Sequence, residues 1–253
     1  MCLLALLYRV CADAAIVVAA NREEFYDRGG DPPRRLDGVA AVGGVDPTHG
    51  GTWLGVNASG LLVAVTNRRK SQLPSSPRSR GLLARDLLGL PSAAEASRHA
   101  ARALQSGVYA GCNFLCVDRD EAVVLQAGDW LRIRPLPPGV HILSNRDVND
   151  PTDRRVVYST AWLAGHDLSN SQSALNALAR LCSSAEPADA PLCFHGKKRG
   201  SVSSSLIALR QGPHGELSLP GSTYLHAQGP PDTVPYMDVS HLLRTLAEAD
   251  ATE

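Results

Sequence analysis

Apolar residues in this chain gather in short runs broken by polar turns, and helical spacing is confined to a few stretches. Residues 3–10 and 13–20 are nearly continuous apolar runs joined by Cys11 and Ala12. Such runs predict an antiparallel hairpin buried on both faces. The second run empties into Asn21-Arg22-Glu23-Glu24-Phe25-Tyr26-Asp27-Arg28, which reads as a polar cluster at a strand end. A loop rich in Gly, Pro and Asp follows, then a strand over 39–42. Apolar runs at 50–56 and 61–66 flank Asn57-Ala58-Ser59-Gly60, a hairpin turn signal. Residues 70–80, rich in Ser, Pro and Arg, predict a loop.

Helical spacing begins after Ser79-Arg80-Gly81, where Leu82, Leu83, Leu87 and Leu88 recur. Ser92 with Glu95 three residues on forms a capping-box pattern, predicting a second helix to about Leu104. From Cys112 strands return at 112–118, 122–126, 130–134 and 139–143. Helices are predicted over 153–163 and 171–181, then a loop over 183–200. A late hairpin of 203–210 with 216–219 and a final helix over 239–246 complete the chain. Strands and helices segregate into blocks, which favours a single α+β domain over residues 1–253, with layered antiparallel sheets covered by helices.

Composition narrows the function classes. The net charge of the 253 residues is +0, so there is no bulk pull toward nucleic acid or an anionic membrane. No segment approaches the roughly 20 apolar residues of a membrane span. The apolar run Leu3–Leu7 has no basic residue before it and is shorter than the roughly 7–15 residues of a secretory core, so a reducing, cytoplasmic location is expected. The 6 cysteines (Cys2, Cys11, Cys112, Cys116, Cys182 and Cys193) form no C-x-x-C pair and no zinc-type spacing. Cys112 and Cys116, four apart in an apolar run, are expected to be buried free thiols, and no metal is expected. Oligomeric state is not legible.

The candidate chemistry starts at Cys2. Methionine is trimmed in the cell when the second side chain is small, and the product would carry a thiol and a free α-amine on one residue. Polar residues then recur at the ends of apolar strands: Asn21 and Arg22, Thr66 and Asn67, Asn113, Ser144 and Asn145. Asparagine also ends strands because its side chain mimics a turn, so each alone is ambiguous.

Together, Met1-Cys2, Ala20-Asn21-Arg22-Glu23-Glu24-Phe25-Tyr26, Gly50-Gly51-Thr52-Trp53-Leu54-Gly55, Thr66-Asn67, Ser79-Arg80-Gly81 and Leu143-Ser144-Asn145 occur in the order found in the NRDE family, which includes the transport-and-Golgi-organisation proteins. The chain resembles that family from Met1 to about residue 165, with Glu23 where the family name has Asp. The resemblance implies an N-terminal-nucleophile (Ntn) hydrolase-like fold, an αββα sandwich of two antiparallel sheets between helix layers. The chain is also similar to the cysteine acylases, the bile salt hydrolases and penicillin V acylases, which begin Met-Cys and are trimmed to a free cysteine. That likeness makes Cys2 the nucleophile, with Arg22, Asn67 and Asn145 as companions and Asn21, Glu23, Glu24, Trp53 and Arg199 as secondary candidates.

The implied chemistry is amide hydrolysis or acyl transfer on a small amide or thioester, with no cofactor. The α-amine, of pKa about 7.7–8.0, takes the thiol proton, Arg22 favours the thiolate, and the Asn67 and Asn145 side-chain amides, or the Asn67 backbone N–H, fill an oxyanion hole. Two positions depart from the acylase pattern. Phe25 stands where those enzymes place an aspartate, and Val202 where they place a late arginine, leaving Arg199 or Arg210 as substitutes. The alternative is a binding or trafficking protein for haem or acyl-CoA-type lipids, with His49 or His141 as conceivable haem ligands. A third reading makes residues 21–24 an architectural corner in which Arg22 pairs with Glu23 or Glu24.

Overall fold

In a computed structural model, which describes residues 3–212 and 215–250, the N-terminal apolar run forms strand β1 (Leu3–Tyr8). The chain continues through β2 (Ala14–Phe25), β3 (Asp31–Arg35), β4 (Ala41–Val45), β5 (Leu54–Asn57), β6 (Leu62–Asn67), α1 (Arg80–Leu87) and α2 (Ala93–Gln105). Then come β7 (Cys112–Val117), β8 (Ala122–Ala127), β9 (Leu131–Pro135), β10 (Gly139–Leu143), α3 (Arg154–Ala164) and α4 (Ser171–Cys182). Last are β11 (Arg199–Gln211), β12 (Leu217–Ala227), β13 (Met237–Asp238) and α5 (His241–Asp250). The class is α+β with two antiparallel sheets. The described residues divide into two compact units, one comprising the chain up to Gly29 with Pro138–Arg244, the other Gly30–Pro137 with the chain from Thr245 on. No helix among them is long and apolar enough to cross a membrane.

The first unit is a 6-stranded sheet in the order β10-β1-β2-β11-β12-β13. All of β1 is buried, which is why its sequence is apolar at every position rather than alternating. Leu3, Ala5 and Leu7 pack with Val156 and Leu163 of α3 and with Ala174, Leu178 and Leu181 of α4. Asp13, in the β1–β2 turn, accepts hydrogen bonds from the backbone and hydroxyl of Ser171 at 2.7 Å each and lies 3.2 Å from Arg210. Burial opposes ionisation of Asp13, but those bonds and the Arg210 charge outweigh it and hold the carboxyl below its usual range. The turn is thereby tied to the first turn of α4.

The second unit is a 7-stranded sheet in the order β3-β4-β5-β6-β7-β8-β9. Leu83 and Leu87 of α1 and Ala96 and Ala100 of α2 share a core with Val63, Phe114 and Leu125 of the sheet. The α2 cap is the one the sequence predicts, Ser92 accepting from the Glu95 amide, and α1 is capped in the same way by Ser79, which accepts from the Leu82 amide. The Asn57 turn is a hairpin with Gly60 at φ 81°, and the Asn57 amide donates to the carbonyls of Leu88 at 3.0 Å and Leu90 at 2.8 Å. One asparagine therefore closes the turn and fastens the end of α1.

Gly51 and Gly81, from two separate sequence motifs, meet here. A Cβ on Gly51 would stand 2.3 Å from the Gly81 carbonyl carbon, and the Thr52 amide donates to the Gly81 carbonyl at 3.0 Å. Gly51→Ala must push two backbones apart and is expected to cost about 1–3 kcal/mol, read as a lowered urea midpoint at unchanged slope.

The structure departs from the sequence expectation mainly in strand length. β2 does not stop at Ala20 but runs on through Phe25. β11 and β12 are each longer than expected: the extension of β2 supplies a partner for Arg199–Ser204, and β11 in turn supplies one for β12 as far as Ala227. The Pro-containing stretch read as loop is β3, an edge strand, where prolines are tolerated because one side of the strand pairs with nothing.

Candidate functional site

The alternation of side chains along β2 divides the Asn-Arg-Glu-Glu motif between two faces. Asn21 and Glu23 lie on the face that packs against α3 and α4. The Asn21 amide donates to the carbonyls of Cys182 at 2.8 Å and Leu192 at 2.9 Å. Glu23 forms an ion pair with Arg155 of α3 at 2.7 Å, their side chains 1% and 3% exposed. Arg155 also donates to the carbonyls of Ala190 and Pro191, so its guanidinium links β2, α3 and the segment after α4. Arg22 and Glu24 lie on the opposite face. Arg22 is buried and donates to the Gly29 carbonyl, with Glu24 at 3.9 Å. Of the two partners expected for Arg22, the structure gives Glu24 and not Glu23: adjacent residues in a strand point to opposite faces, and the partner of Glu23 is Arg155.

Cys2 lies outside the described residues. At the start of β1, Leu3 pairs with Asn21 of β2 and Leu4 with Leu143 of β10. β10 leads directly into Ser144 and Asn145. Ser144 donates to the Asp153 carboxylate at 2.6 Å and accepts from the Arg146 amide, which fixes the chain where it leaves the sheet. Asn145 is half-buried.

β11 runs along the other side of β2, with Ser203 opposite Arg22 and Ser204 opposite Asn21. Val202 sits in a bulge between Ser201 and Ser203. Arg199, opposite Phe25, is exposed, its guanidinium 6.0 Å from the centre of the Phe194 ring. Arg210 is near the far end of the strand beside Asp13. Both lie toward the ends of β11, away from Val202. His226 of β12 is held between Ser205 Oγ at Nδ1 (2.9 Å) and Gln228 Oε1 at Nε2 (2.8 Å). Burial lowers its pKa below the unfolded value of about 6.5. The unfolded chain therefore takes up the proton first, and stability is expected to fall as pH drops below that value. Denaturation midpoints at about pH 7.5 and about pH 5.5 should differ less in His226→Gln than in the native chain.

Asn67 and Trp53 belong to the second unit. Asn67 is exposed at the end of β6 opposite Cys112, beside a chain of hydrogen bonds in which Asn113 donates to Thr66 and accepts from Arg68. The indole of Trp53 covers Gly44, where a Cβ would stand 2.3 Å from the ring. His49 pairs with Asp46 at 3.3 Å, and His141 is buried against the Asn149 amide at 3.0 Å.

None of the 5 described cysteines is disposed as a nucleophile. All are buried and free. Burial pushes the Cys112, Cys116 and Cys182 thiols up to about 12 and those of Cys11 and Cys193 up to about 11, the carboxylates beside Cys11 and Cys193 adding to the effect. Sequence reasoning missed one cluster, in which Cys193 and His195 meet Asp232. Its signal was Cys193-x-His195, a spacing that matters only in an extended segment.

Comparisons with known proteins follow the same lines. A family model described as Transport and Golgi organisation 2 matches residues 1–207. The Bos taurus Transport and Golgi organization protein 2 homolog is 31% identical over 149 residues, covering 54% of this chain and 52% of that protein. The Homo sapiens homolog is 31% identical over 148 residues with the same coverage. The chain spans about half the length of the curated relatives it matches.

Among solved structures, the Caenorhabditis elegans N-acylethanolamine-hydrolyzing acid amidase ortholog matches with TM-score 0.56 at 16% identity, over 81% of this chain and 91% of that one. A mutant conjugated bile acid hydrolase from Clostridium perfringens matches with TM-score 0.56 at 11% identity, over 95% and 93%. Penicillin V acylase from Agrobacterium tumefaciens matches with TM-score 0.52 at 14% identity, over 95% and 87%. These likenesses establish the fold, that of the Ntn hydrolases.

Proposed function

Because the chain belongs to the Transport and Golgi organisation 2 family and has the fold of the Ntn hydrolases, we propose that it is a cytoplasmic amidohydrolase or acyltransferase whose nucleophile is Cys2, freed by removal of Met1. The observation that carries this reading is the placement of β1. Cys2 directly precedes Leu3, which opens a fully buried strand flanked by β2 with its buried Arg22 and by β10 leading to Asn145. Burial holds the thiols of Cys11, Cys112, Cys116, Cys182 and Cys193 in the protonated form, so none of them competes for that role.

The chemistry follows from those groups. The α-amine of Cys2 takes the thiol proton, and the Arg22 charge stabilises the thiolate. Sulfur attacks the substrate carbonyl, and the Asn145 amide donates to the oxyanion. The C–N or C–S bond breaks as the amine's proton passes to the leaving group, which leaves a thioester on Cys2. Water, or an acceptor amine or thiol, then attacks the thioester, releases the acyl group and returns the proton to sulfur. Asn67 is assigned to the oxyanion by the resemblance alone. The substrate class is a small amide or thioester.

Intact mass and an acyl-thioester probe test this together. The expected result is a chain lacking Met1 whose only acylated peptide begins at Cys2. A chain that retains Met1, or labelling undiminished in Cys2→Ala, would overturn the proposal. No labelling combined with a Soret shift on haem titration would transfer the reading to ligand carriage.

A further inference from the structure

Cys193 and His195 flank Phe194 in the segment that turns back on the start of β11. The Ser201 amide donates to the Phe194 carbonyl at 2.7 Å, the Gly196 amide to the Arg199 carbonyl at 3.0 Å, and His195 bridges to Gly200. Side chains two residues apart in such a segment project to the same side. The segment is held closely: a Cβ on Gly200 would stand 2.2 Å from the Tyr26 hydroxyl and 2.6 Å from the Phe194 carbonyl oxygen. The Cys193 amide donates to the Ser184 carbonyl at 2.8 Å.

Asp232 arrives from the loop between β12 and β13. That loop is a tight turn in which the amides of Thr233 and Val234 both donate to the Pro230 carbonyl, at 3.1 and 2.8 Å. Ser183, at the end of α4, donates to the Pro231 carbonyl at 2.9 Å. Two braced loops, distant in sequence, thus present three different donor atoms to one another. The Cys193 thiol donates to Asp232 Oδ1 at 3.3 Å, Asp232 Oδ2 lies 2.7 Å from His195 Nε2, and Cys193 Sγ lies 3.8 Å from the same nitrogen.

This is not the geometry of a catalytic Cys-His-Asp relay. In such a relay the carboxylate orients one ring nitrogen and the nucleophile uses the other. Here carboxylate and sulfur both address Nε2, so the three ligand atoms converge on one point, all within 4.8 Å of one another. Tetrahedral zinc has bonds of about 2.0–2.3 Å, which sets its ligands roughly 3.3–3.6 Å apart. Opening the imidazole–carboxylate contact by about 0.6 Å and closing the sulfur–imidazole separation by about 0.2 Å brings the cluster into that range. The His195 side chain, 48% exposed, is free of the packing that would prevent it.

We propose that Cys193, His195 and Asp232 form a divalent-cation site for zinc or a zinc-like ion, which ties the segment leading into β11 to the β12–β13 loop. The thiolate, imidazole and carboxylate set selects a borderline ion such as zinc over magnesium or calcium, which take oxygen ligands. Binding releases the thiol proton, so that one thiolate and one carboxylate neutralise the dication. Cys193 is buried, whereas His195 and Asp232 face solvent, which leaves a fourth position on the open side for water. Lys197 and Lys198 of the same loop and Arg199 at the start of β11 are exposed, so solvent screens their repulsion.

Cobalt(II) titration of the chelator-treated full chain, in a phosphine reductant, tests the site. The expected result is a thiolate-to-cobalt charge-transfer band saturating at one ion per chain, with zinc displacing it and raising the unfolding temperature. Cys193→Ser should abolish the band. His195→Gln and Asp232→Asn, at exposed positions that leave the fold intact, should each weaken zinc binding by about tenfold or more. Absence of the band, its persistence in Cys193→Ser, or unchanged affinity in both exposed variants would overturn the assignment.

Discussion

Arg155→Met is expected to destabilise the protein by about 3–5 kcal/mol, because it strands the Glu23 carboxylate in the interior without its partner. Against a total stability of about 5–15 kcal/mol, that is a large share. Two things make the loss large. Glu23 is 1% exposed at its side chain and cannot turn to water. Arg155 also satisfies the Ala190 and Pro191 carbonyls, which would lose their donor. The double variant Glu23→Leu with Arg155→Met should recover much of the loss, since an apolar pair has no charge to desolvate, but not the part owed to the two carbonyls. Urea denaturation of both variants measures the difference. A single variant within about 1 kcal/mol of the native chain would remove the pair from its architectural role.

The second large effect is chemical. Cys2→Ala should abolish acyl labelling and turnover at an unfolding temperature close to native. On the same face of β2 as Glu24, Arg22→Gln should slow labelling by lowering the thiolate fraction. Asn145→Ala should cost about 10²–10³ in rate through loss of an oxyanion donor. The contrast with Glu23 is the point of the experiment. Even-numbered motif residues should change rate more than stability, and odd-numbered ones stability more than rate. Loss of labelling in Glu23→Gln at native stability, or wild-type labelling in Arg22→Gln, would contradict that division.

Much of the architecture was legible because it rests on local rules. Ser92 caps its helix where its pattern predicts, since a hydroxyl meeting unpaired amides needs only a few residues of context. The Asn57–Gly60 turn and the strands from β7 to β10 fall where apolar runs and turn residues place them. β3 and the ends of β2, β11 and β12 were not legible. A Ser-rich or Pro-containing segment becomes a strand only when a partner supplies its ladder, and that partner lies far away in sequence.

The candidate site divides in the same way. Sequence by itself supplied the candidates: Cys2 behind Met1, the Asn-Arg-Glu-Glu motif, and asparagines after apolar strands. It could not assign the motif's residues to roles, because a polar cluster read as a strand end has no faces. Only the extension of β2 gave it two, turning Glu23 toward Arg155, 132 positions away, and Arg22 to the other side. The Cys193–His195–Asp232 cluster is the extreme case. Its third member is 37 residues beyond the second, on a different loop, and no spacing rule joins them. Local chemistry is written along the chain. Convergence of side chains is a property of the sheet that brings distant segments into register.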